Sequence, residues 1–168
     1  MIELLIKGNT VLIDDIDSDL SEYNWFIDRR ADKRTAYVLR KITVLHKKKC
    51  LRMHRVILER MLGRSLTSGE TVDHINCNGL DNRRSNLRPA TSSQQTANTK
   101  KARSSSGVAY SNYKGVTWYK HIHKWAAKIQ HEGKDKHLGV FEQEIDAAKA
   151  YDEAALKYFG EFAKLNFS

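Results

Sequence analysis

Cysteine and proline are scarce in this chain of 168 residues, and it contains no long apolar run. Its two cysteines, Cys50 and Cys77, form no C-x-x-C pair, so we expect no structural zinc site of the usual cysteine and histidine type. No segment reaches the roughly 20 apolar residues that a membrane-spanning helix needs, and the N-terminus lacks a basic stretch followed by an apolar one. We therefore expect an intracellular, cytoplasmic protein that contacts no membrane.

Positive charge is abundant and unevenly distributed. The formal net charge is +9, and residues 51–112 carry ten basic and four acidic residues, a net +6. The segments before and after this one, 1–50 and 113–168, are close to balanced at +2 and +1. A basic surface favours a polyanionic partner, because each phosphate that it neutralises releases a counterion.

The first part of the chain has the pattern of a small β-module. Residues 2–6, 10–13, 23–27 and 36–45 are short β-type runs separated by turn signals. They predict one antiparallel sheet of three to five strands within residues 1–50, with Trp25 in its core. The charged segment between the last two runs is a hairpin tip whose basic residues either touch phosphate or are solvated: Arg29, Arg30, Lys33 and Arg34.

The hydrophobic period then changes to that of a helix. Met53, Val56 and Ile57 recur at helical spacing, and Gly63 follows as a stop signal, which predicts a helix at about 52–62. His54 lies on this helix and faces either the core or a functional site.

A stretch of unusual composition follows, residues 71–98, with the acid–imidazole pair Asp73-His74 near its start. Histidine can take a proton from water near neutral pH, and a carboxylate with amide oxygens suits a hard ion such as Mg²⁺ or Mn²⁺. These are the groups that phosphodiester hydrolysis needs. Taken alone, the pair is also compatible with a capped turn that contains a hydrogen-bonded histidine.

The sequences of residues 72–76 (VDHIN), 80–88 (LDNRRSNLR) and 90–91 (AT) resemble the HNH endonuclease family, in particular its homing type with a ββα metal finger. The resemblance implies that Asp73 binds one divalent metal, Mg²⁺ or Mn²⁺, and that His74 is the general base. It also implies that Asn86 braces the loop and the histidine, and that Asn82 is structural.

One position departs from the family pattern. The last metal ligand, an Asn or His on the helix predicted from about Thr91, falls at Gln95. Glutamine keeps the amide oxygen on a longer side chain, so either Gln95 or Asn98 completes the metal site. A weak or inactive nuclease is the alternative.

The rest of the chain predicts a linker and a second module. Residues 99–112 are basic and then rich in Ser and Gly, which is typical of a linker. Three strands at about 115–119, 125–131 and 136–141 precede a helix at 143–159 that is rich in alanine.

Within this module, residues 113–116 (YKGV), 124–129 (KWAAKI), 138–141 (LGVF) and 147–152 (AAKAYD) resemble the AP2/ERF DNA-binding domain. The resemblance implies a three-stranded antiparallel sheet that packs on one helix and enters the major groove of DNA. Trp125 is either near DNA or in the core. The remaining DNA contacts implied by position are Lys114, Trp118, Lys120, Lys124, Lys128 and Gln130. Basic residues of the finger and the linker add Arg83, Arg84, Arg88, Lys100, Lys101 and Arg103.

The sequence thus predicts an α+β protein in four parts: a β-module (1–50), an HNH nuclease module (51–98), a linker (99–112) and an AP2-like domain (113–168). The expected function is that of a metal-dependent endonuclease acting on double-stranded DNA as a monomer. A DNA-binding protein without cleavage is the main alternative. An RNA-binding or structural module is the third, and it lacks the aromatic signature of the common RNA-binding fold.

Overall fold

The computed structural model describes residues 1–28, 36–99, 101 and 111–167, and its architecture is α+β, as predicted. Two compact units make up the chain, Met1–Ser92 and Ser93–Ser168. The four-part division stays a prediction, and the division between the units falls inside the stretch predicted as the nuclease module. Within the described part, no helix is long and apolar enough to cross a membrane. Six of the basic residues discussed above lie outside the described residues: Arg29, Arg30, Lys33, Arg34, Lys100 and Arg103.

The first unit begins with two separate antiparallel sheets, where the sequence predicted one. Strands β1 (Ile2–Ile6) and β2 (Asn9–Ile13) form a hairpin, and a 3₁₀ helix (Asp15–Glu22) follows it. The second sheet has the strand order β3-β4-β5 and consists of β3 (Phe26–Asp28), β4 (Tyr37–Val44) and β5 (Lys47–Arg52).

Strand β5 is not apparent from the sequence, because lysine has a low intrinsic preference for strands. Its residues KKKCLR are mostly exposed. A tight turn at Leu45 and His46, both with positive φ, returns the chain antiparallel to β4 and pairs Val44 with Lys47. The turn and the cross-strand hydrogen bonds therefore decide this strand, not its composition.

Helix α1 (Met53–Leu62) follows directly and ends at Gly63, whose φ of 63° is left-handed, as the sequence predicted. Trp25 is half-buried against the core of this unit, and its indole N–H donates to the Leu20 carbonyl at 2.7 Å, which confirms its predicted core position. The buried members of that core are Val11, Ile13, Leu20, Val38, Met53, Ile57, Leu58, Leu66, Val72 and Leu87.

A further antiparallel strand pair, β6 (Glu70–His74) and β7 (Leu87–Thr91), leads into the short helix α2 (Ser92–Ala97). This is the ββα order along the chain that the sequence predicted. The register pairs Asp73 with Arg88. The connecting loop of residues 75–86 is attached to β2, because Leu12 donates to the Leu80 carbonyl at 2.9 Å and accepts from the Asn82 N–H at 2.8 Å.

The second unit contains a three-stranded antiparallel sheet of order β10-β9-β8 and helix α3 (Glu144–Phe159). The strands are β8 (Val116–Tyr119), β9 (Lys124–His131) and β10 (Lys134–Phe141), close to the predicted bounds. Alanines on α3 let it lie close to the sheet. Gly115 precedes β8 with a φ of +77°, and a Cβ there would collide with the Tyr151 ring of α3, so only glycine fits.

Candidate active site

The acid–imidazole pair lies at the end of β6 and is almost completely buried. Asp73 is 3% exposed and His74 is 5% exposed. Burial is costly for groups that carry charge, so such a pair needs partners within the fold. Both side chains have such partners: aromatic rings surround His74, and Arg88 binds Asp73.

His74 is surrounded by aromatic rings. Its ring centroid is 5.1 Å from that of His54, at right angles, and 5.9 Å from that of Tyr37. Burial lowers the pKa of His74 below its usual value, and the neighbouring Asn82, Asp73 and Asp81 oppose part of this shift. The imidazole is therefore neutral at neutral pH and can accept a proton.

His54, whose orientation the sequence left open, is part of both the core and this site. It is 6% exposed on α1, its Nδ1 has no hydrogen-bond partner among the residues that the structure describes, and its ring also lies edge-on to Tyr37 at 5.2 Å. Burial, with a further contribution from His74, lowers the pKa of His54 to about 3. Helical spacing placed this residue on the buried face but could not indicate which strand lay opposite.

Asn86 holds the two ends of the loop between β6 and β7 together. Its side-chain N–H₂ donates to the Asp81 carbonyl at 2.7 Å and to the Asn76 side chain at 3.0 Å, and its Oδ1 accepts from the Asn76 N–H at 3.0 Å. Its carbonyl accepts from the Ile75 N–H at 3.0 Å, directly after His74. This network fixes the backbone that leaves His74.

Three arginines predicted as DNA contacts bind carboxylates within the unit. Arg83 donates to Asp81 at 2.8 and 2.7 Å and holds the pKa of that carboxyl below its usual value. Arg84 donates to the fully buried Asp17 at 2.8 and 3.0 Å. Their role in DNA binding stays a prediction, and the structure shows that both guanidinium groups are also internal braces.

The third, Arg88, lies beside the predicted metal ligand. Its Nε is 2.9 Å from Asp73 Oδ2, and the two residues are direct cross-strand partners. The side chain of Arg88 is only 12% exposed. A divalent cation at Asp73 would therefore share this carboxylate with a fixed positive charge, which weakens its binding unless further anionic oxygens, such as those of phosphate, are present.

The donor chemistry fits a hard cation. Among the described residues, no group of three or more His, Cys, Asp or Glu side chains could hold a metal ion. One carboxylate completed by amide, water and phosphate oxygens is a ligand set typical of Mg²⁺ or Mn²⁺, which retain water and bind substrate phosphate.

The two predicted helix ligands belong to the second unit, which starts at Ser93. Gln95 is half-buried on α2, and Asn98 is 5% exposed just after it, where its N–H donates to the Gln94 carbonyl at 3.1 Å. Their participation in a metal site with Asp73 stays a prediction.

The sheet of the second unit divides its predicted DNA contacts between two faces. Trp125, Ala127 and Ile129 of β9 pack against α3, so the residues that alternate with them point away from the helix. Those residues are Lys124, Lys128 and Gln130. Trp118 is the cross-strand partner of Trp125, at a ring distance of 4.9 Å, which places both tryptophans on the α3 side.

The other described lysines predicted to contact DNA differ in whether their amines are exposed or bound to the backbone. Lys120 is exposed in the turn after β8. Lys101 donates to the carbonyls of Ser111 and Tyr113 at 2.6 and 2.8 Å, and Lys114 donates to carbonyls at the end of α2. The last two amines thus donate to backbone carbonyls of the protein itself.

Comparison with known proteins confirms both resemblances. Residues 51–97 match the HNH endonuclease family. Over 150 residues the chain is 29% identical to an uncharacterized HNH endonuclease of Acanthamoeba polyphaga mimivirus, a match that covers 88% of this chain and 68% of the viral protein.

Plant transcription factors match a shorter part. The chain is 39% identical over 75 residues to APETALA2-like protein 2 of rice, which is 45% of this chain and 17% of that protein. It is 41% identical over 68 residues to an AP2-like ethylene-responsive transcription factor of Arabidopsis thaliana, 40% of this chain and 14% of that protein. The chain therefore spans a small part of these plant relatives.

Proposed function

We propose that this protein is a metal-dependent DNA endonuclease of the homing type, which hydrolyses phosphodiester bonds at a long site in double-stranded DNA. The observation that carries the proposal is the buried Asp73-His74 pair at the end of β6, with a loop that Asn86 holds in place. The match of residues 51–97 to HNH endonucleases supports a nuclease of this kind.

His74 takes the proton of the attacking water, since burial keeps its imidazole neutral at neutral pH. Asp73, with Gln95 or Asn98, would hold one Mg²⁺ or Mn²⁺, which when bound would supply positive charge at the reacting phosphate and the leaving 3′-oxygen. Asn86 fixes the backbone after His74 and thereby the direction in which the imidazole presents its nitrogen.

The second unit reads the DNA. The likeness to plant AP2-type transcription factors supports duplex DNA as the partner. Lys124, Lys128 and Gln130 on the face opposite α3 contact it, and lysine contributes phosphate affinity with less bidentate guanine recognition than arginine. We therefore expect a loosely read site, bound by one monomer through two linked modules.

Plasmid cleavage tests this proposal. A supercoiled plasmid library with a randomised insert is incubated with the protein and Mg²⁺ or Mn²⁺, and nicked and linear forms are quantified and sequenced at their ends. We expect metal-dependent nicking and a loss of about 10²- to 10⁴-fold in His74→Ala, the usual contribution of a general base. His121→Ala, which changes an exposed histidine of the second unit, is the matched control. Absence of metal-dependent nicking by the wild type, or an unchanged rate in His74→Ala, contradicts the proposal.

A second candidate function is DNA binding without cleavage. Two observations favour it: Arg88 already neutralises Asp73 at 2.9 Å, and glutamine stands at position 95. It predicts specific binding of duplex DNA by a wild type that does not cut, and Gln95→Asn would then restore nicking. A wild type that cuts with the expected metal dependence excludes this candidate.

A further inference from the structure

Lys114 belongs to the motif YKGV that resembles AP2 domains, yet its amine is directed at the helix that carries Gln95. Its Nζ lies 2.5 Å from the Ala97 carbonyl oxygen, 2.8 Å from that of Thr99 and 3.4 Å from that of Thr96. An ammonium group has three N–H donors, so these three carbonyls match its full donor capacity.

Two of these carbonyls, those of Thr96 and Ala97, belong to the C-terminal end of α2, and that of Thr99 lies two residues beyond it. The last carbonyls of a helix have no partner within the helix and carry its negative dipole end, where a cation stabilises it. Helix α2 has only six residues, far fewer than an isolated helix needs in water. Its order therefore depends on contacts at its ends and sides.

Lys114 is itself fixed to the second unit. Its N–H donates to Asn166 Oδ1 at 2.6 Å, and its carbonyl accepts from Asn166 Nδ2 at 3.2 Å. Asn166 in turn donates to Asp152 of α3 from its backbone N–H at 2.9 Å and from its side chain at 3.0 Å. Asp152 is 8% exposed. A continuous path of hydrogen bonds thus joins α3 to the end of α2.

Two further bonds reinforce this path. The Lys164 N–H donates to the Ala97 carbonyl at 3.2 Å, beside Lys114 Nζ. Lys101, two residues after Thr99, donates to the carbonyls of Ser111 and Tyr113, immediately before Lys114. The end of α2 is held to the three-stranded module at three points.

We propose that Lys114 is a positioning residue that fastens α2 to the C-terminal module. This module then orders the helix that carries Gln95 and the residue Asn98 just after it, and it is part of the nuclease as well as its DNA reader. The expected effect of Lys114 on cleavage rests on the proposed function, whereas its expected effect on the order of α2 does not. It assigns to Lys114 a partner other than DNA.

The first test needs neither DNA nor metal. Amide hydrogen exchange is measured in the full chain for Asn98 and Thr99, whose N–H groups bond to the Gln94 and Thr96 carbonyls at 3.1 Å. Lys114→Met keeps the length of the side chain and removes its charge. We expect at least about tenfold faster exchange at these two amides with β9 and α3 unchanged, since local opening becomes easier. Lys128→Met, on the exposed face of the sheet, is the matched control and leaves both amides unchanged.

The second test separates positioning from DNA contact. Lys114→Met is expected to lower the single-turnover cleavage rate at saturating DNA by at least about tenfold with little change in Kd, whereas Lys149→Met, at an exposed position of α3, leaves both unchanged. Unchanged exchange at Asn98 together with a raised Kd in Lys114→Met overturns the inference and makes Lys114 a DNA contact. Absence of cleavage by the wild type defeats the proposed function alone, because the exchange result still decides the role of Lys114.

If Lys114→Met exposes α3 to exchange, Lys114→Gln, which retains a donor, is measured in its place. The same results then support or overturn the role of Lys114.

Discussion

The two units differ in how buried the acidic partners of their basic residues are. In the first unit arginines bind carboxylates that are nearly or fully buried: Asp17 at 0%, Asp81 at 2% and Asp73 at 3% exposure. In the second unit the ion pair of Lys128 with Asp135 at 3.0 Å, on the sheet face, has both side chains more than half exposed. The first kind is structural and the second is solvated.

The difference follows from side-chain chemistry. Guanidinium is a planar, weakly hydrated fork that binds a carboxylate with two parallel N–H bonds, whereas ammonium is strongly hydrated and remains at the surface. A count of basic residues therefore overstates the charge that the first unit offers to DNA. The +6 of residues 51–112 includes arginines that are already paired, among them Arg83, Arg84 and Arg88.

Removing a buried carboxylate of the first unit should have the largest effect. Asp17→Ala deletes the partner of Arg84 and of Arg60, whose Nη1 lies 3.2 Å away. We expect a loss of about 3 kcal/mol in the free energy of unfolding, at the low end for a broken buried pair because both guanidiniums are about a third exposed. Urea denaturation measures it.

Asp19→Ala is the matched control, since Asp19 is a half-exposed partner of the same Arg60 at 2.7 Å. The loss of unfolding free energy in Asp19→Ala should stay within about 1 kcal/mol, as for surface pairs. Equal effects of Asp17→Ala and Asp19→Ala would remove the distinction between buried and solvated pairs.

The second-largest effect is expected from acid, which should destabilise the first unit. The folded pKa of His54, about 3, lies below its unfolded value near 6.5, so the unfolded chain binds the proton first. The stabilisation is complete above pH 6.5 and is lost as the pH falls from there toward 3. Between pH 7 and pH 5 this amounts to about 2 kcal/mol from His54.

Urea titrations at both pH values measure this loss in the wild type, in His54→Leu and in His121→Leu, which changes an exposed histidine. The pH dependence should decrease only in His54→Leu. A pH dependence that His54→Leu leaves intact would mean that His54 titrates normally in the folded protein.

The smallest effect on stability is expected in the second unit. Asp135→Asn removes the exposed partner of Lys128 and should change the free energy of unfolding by less than about 0.5 kcal/mol. It should tighten DNA binding a few-fold, because an acid is removed from the proposed DNA face. Fluorescence anisotropy with duplex DNA at fixed salt measures the affinity. A loss of stability above about 1 kcal/mol would make this pair structural, as in the first unit.

The sequence predicted most elements of the second unit because their signals are local. Strands β8, β9 and β10, the alanine-rich helix and its end near Gly160 all follow from short patterns and turn residues. In the first unit, local patterns likewise indicated α1 and the pair Asp73-His74. They did not indicate β5, whose lysines have no strand pattern.

At the candidate site, too, only features with a local sequence signal were predicted. Residue type indicated Asp73 and His74, and the resemblance to HNH endonucleases added Asn86. Nothing local indicated that Arg88 would bind Asp73 or that His54 and Tyr37 would enclose His74. Those neighbours come from other elements of the fold, and they decide the charge and the pKa of the pair.

By itself the sequence determined the α+β class and the order of elements around the ββα stretch, and it supplied the residues proposed for hydrolysis, because these depend on neighbours within a few positions. Tertiary structure decided the partners. Arg84 meets Asp17 across 67 positions, and Lys114 meets Ala97 across 17. Such pairs are chosen by packing, which brings distant donors and acceptors together out of water where an unpaired charge is costly.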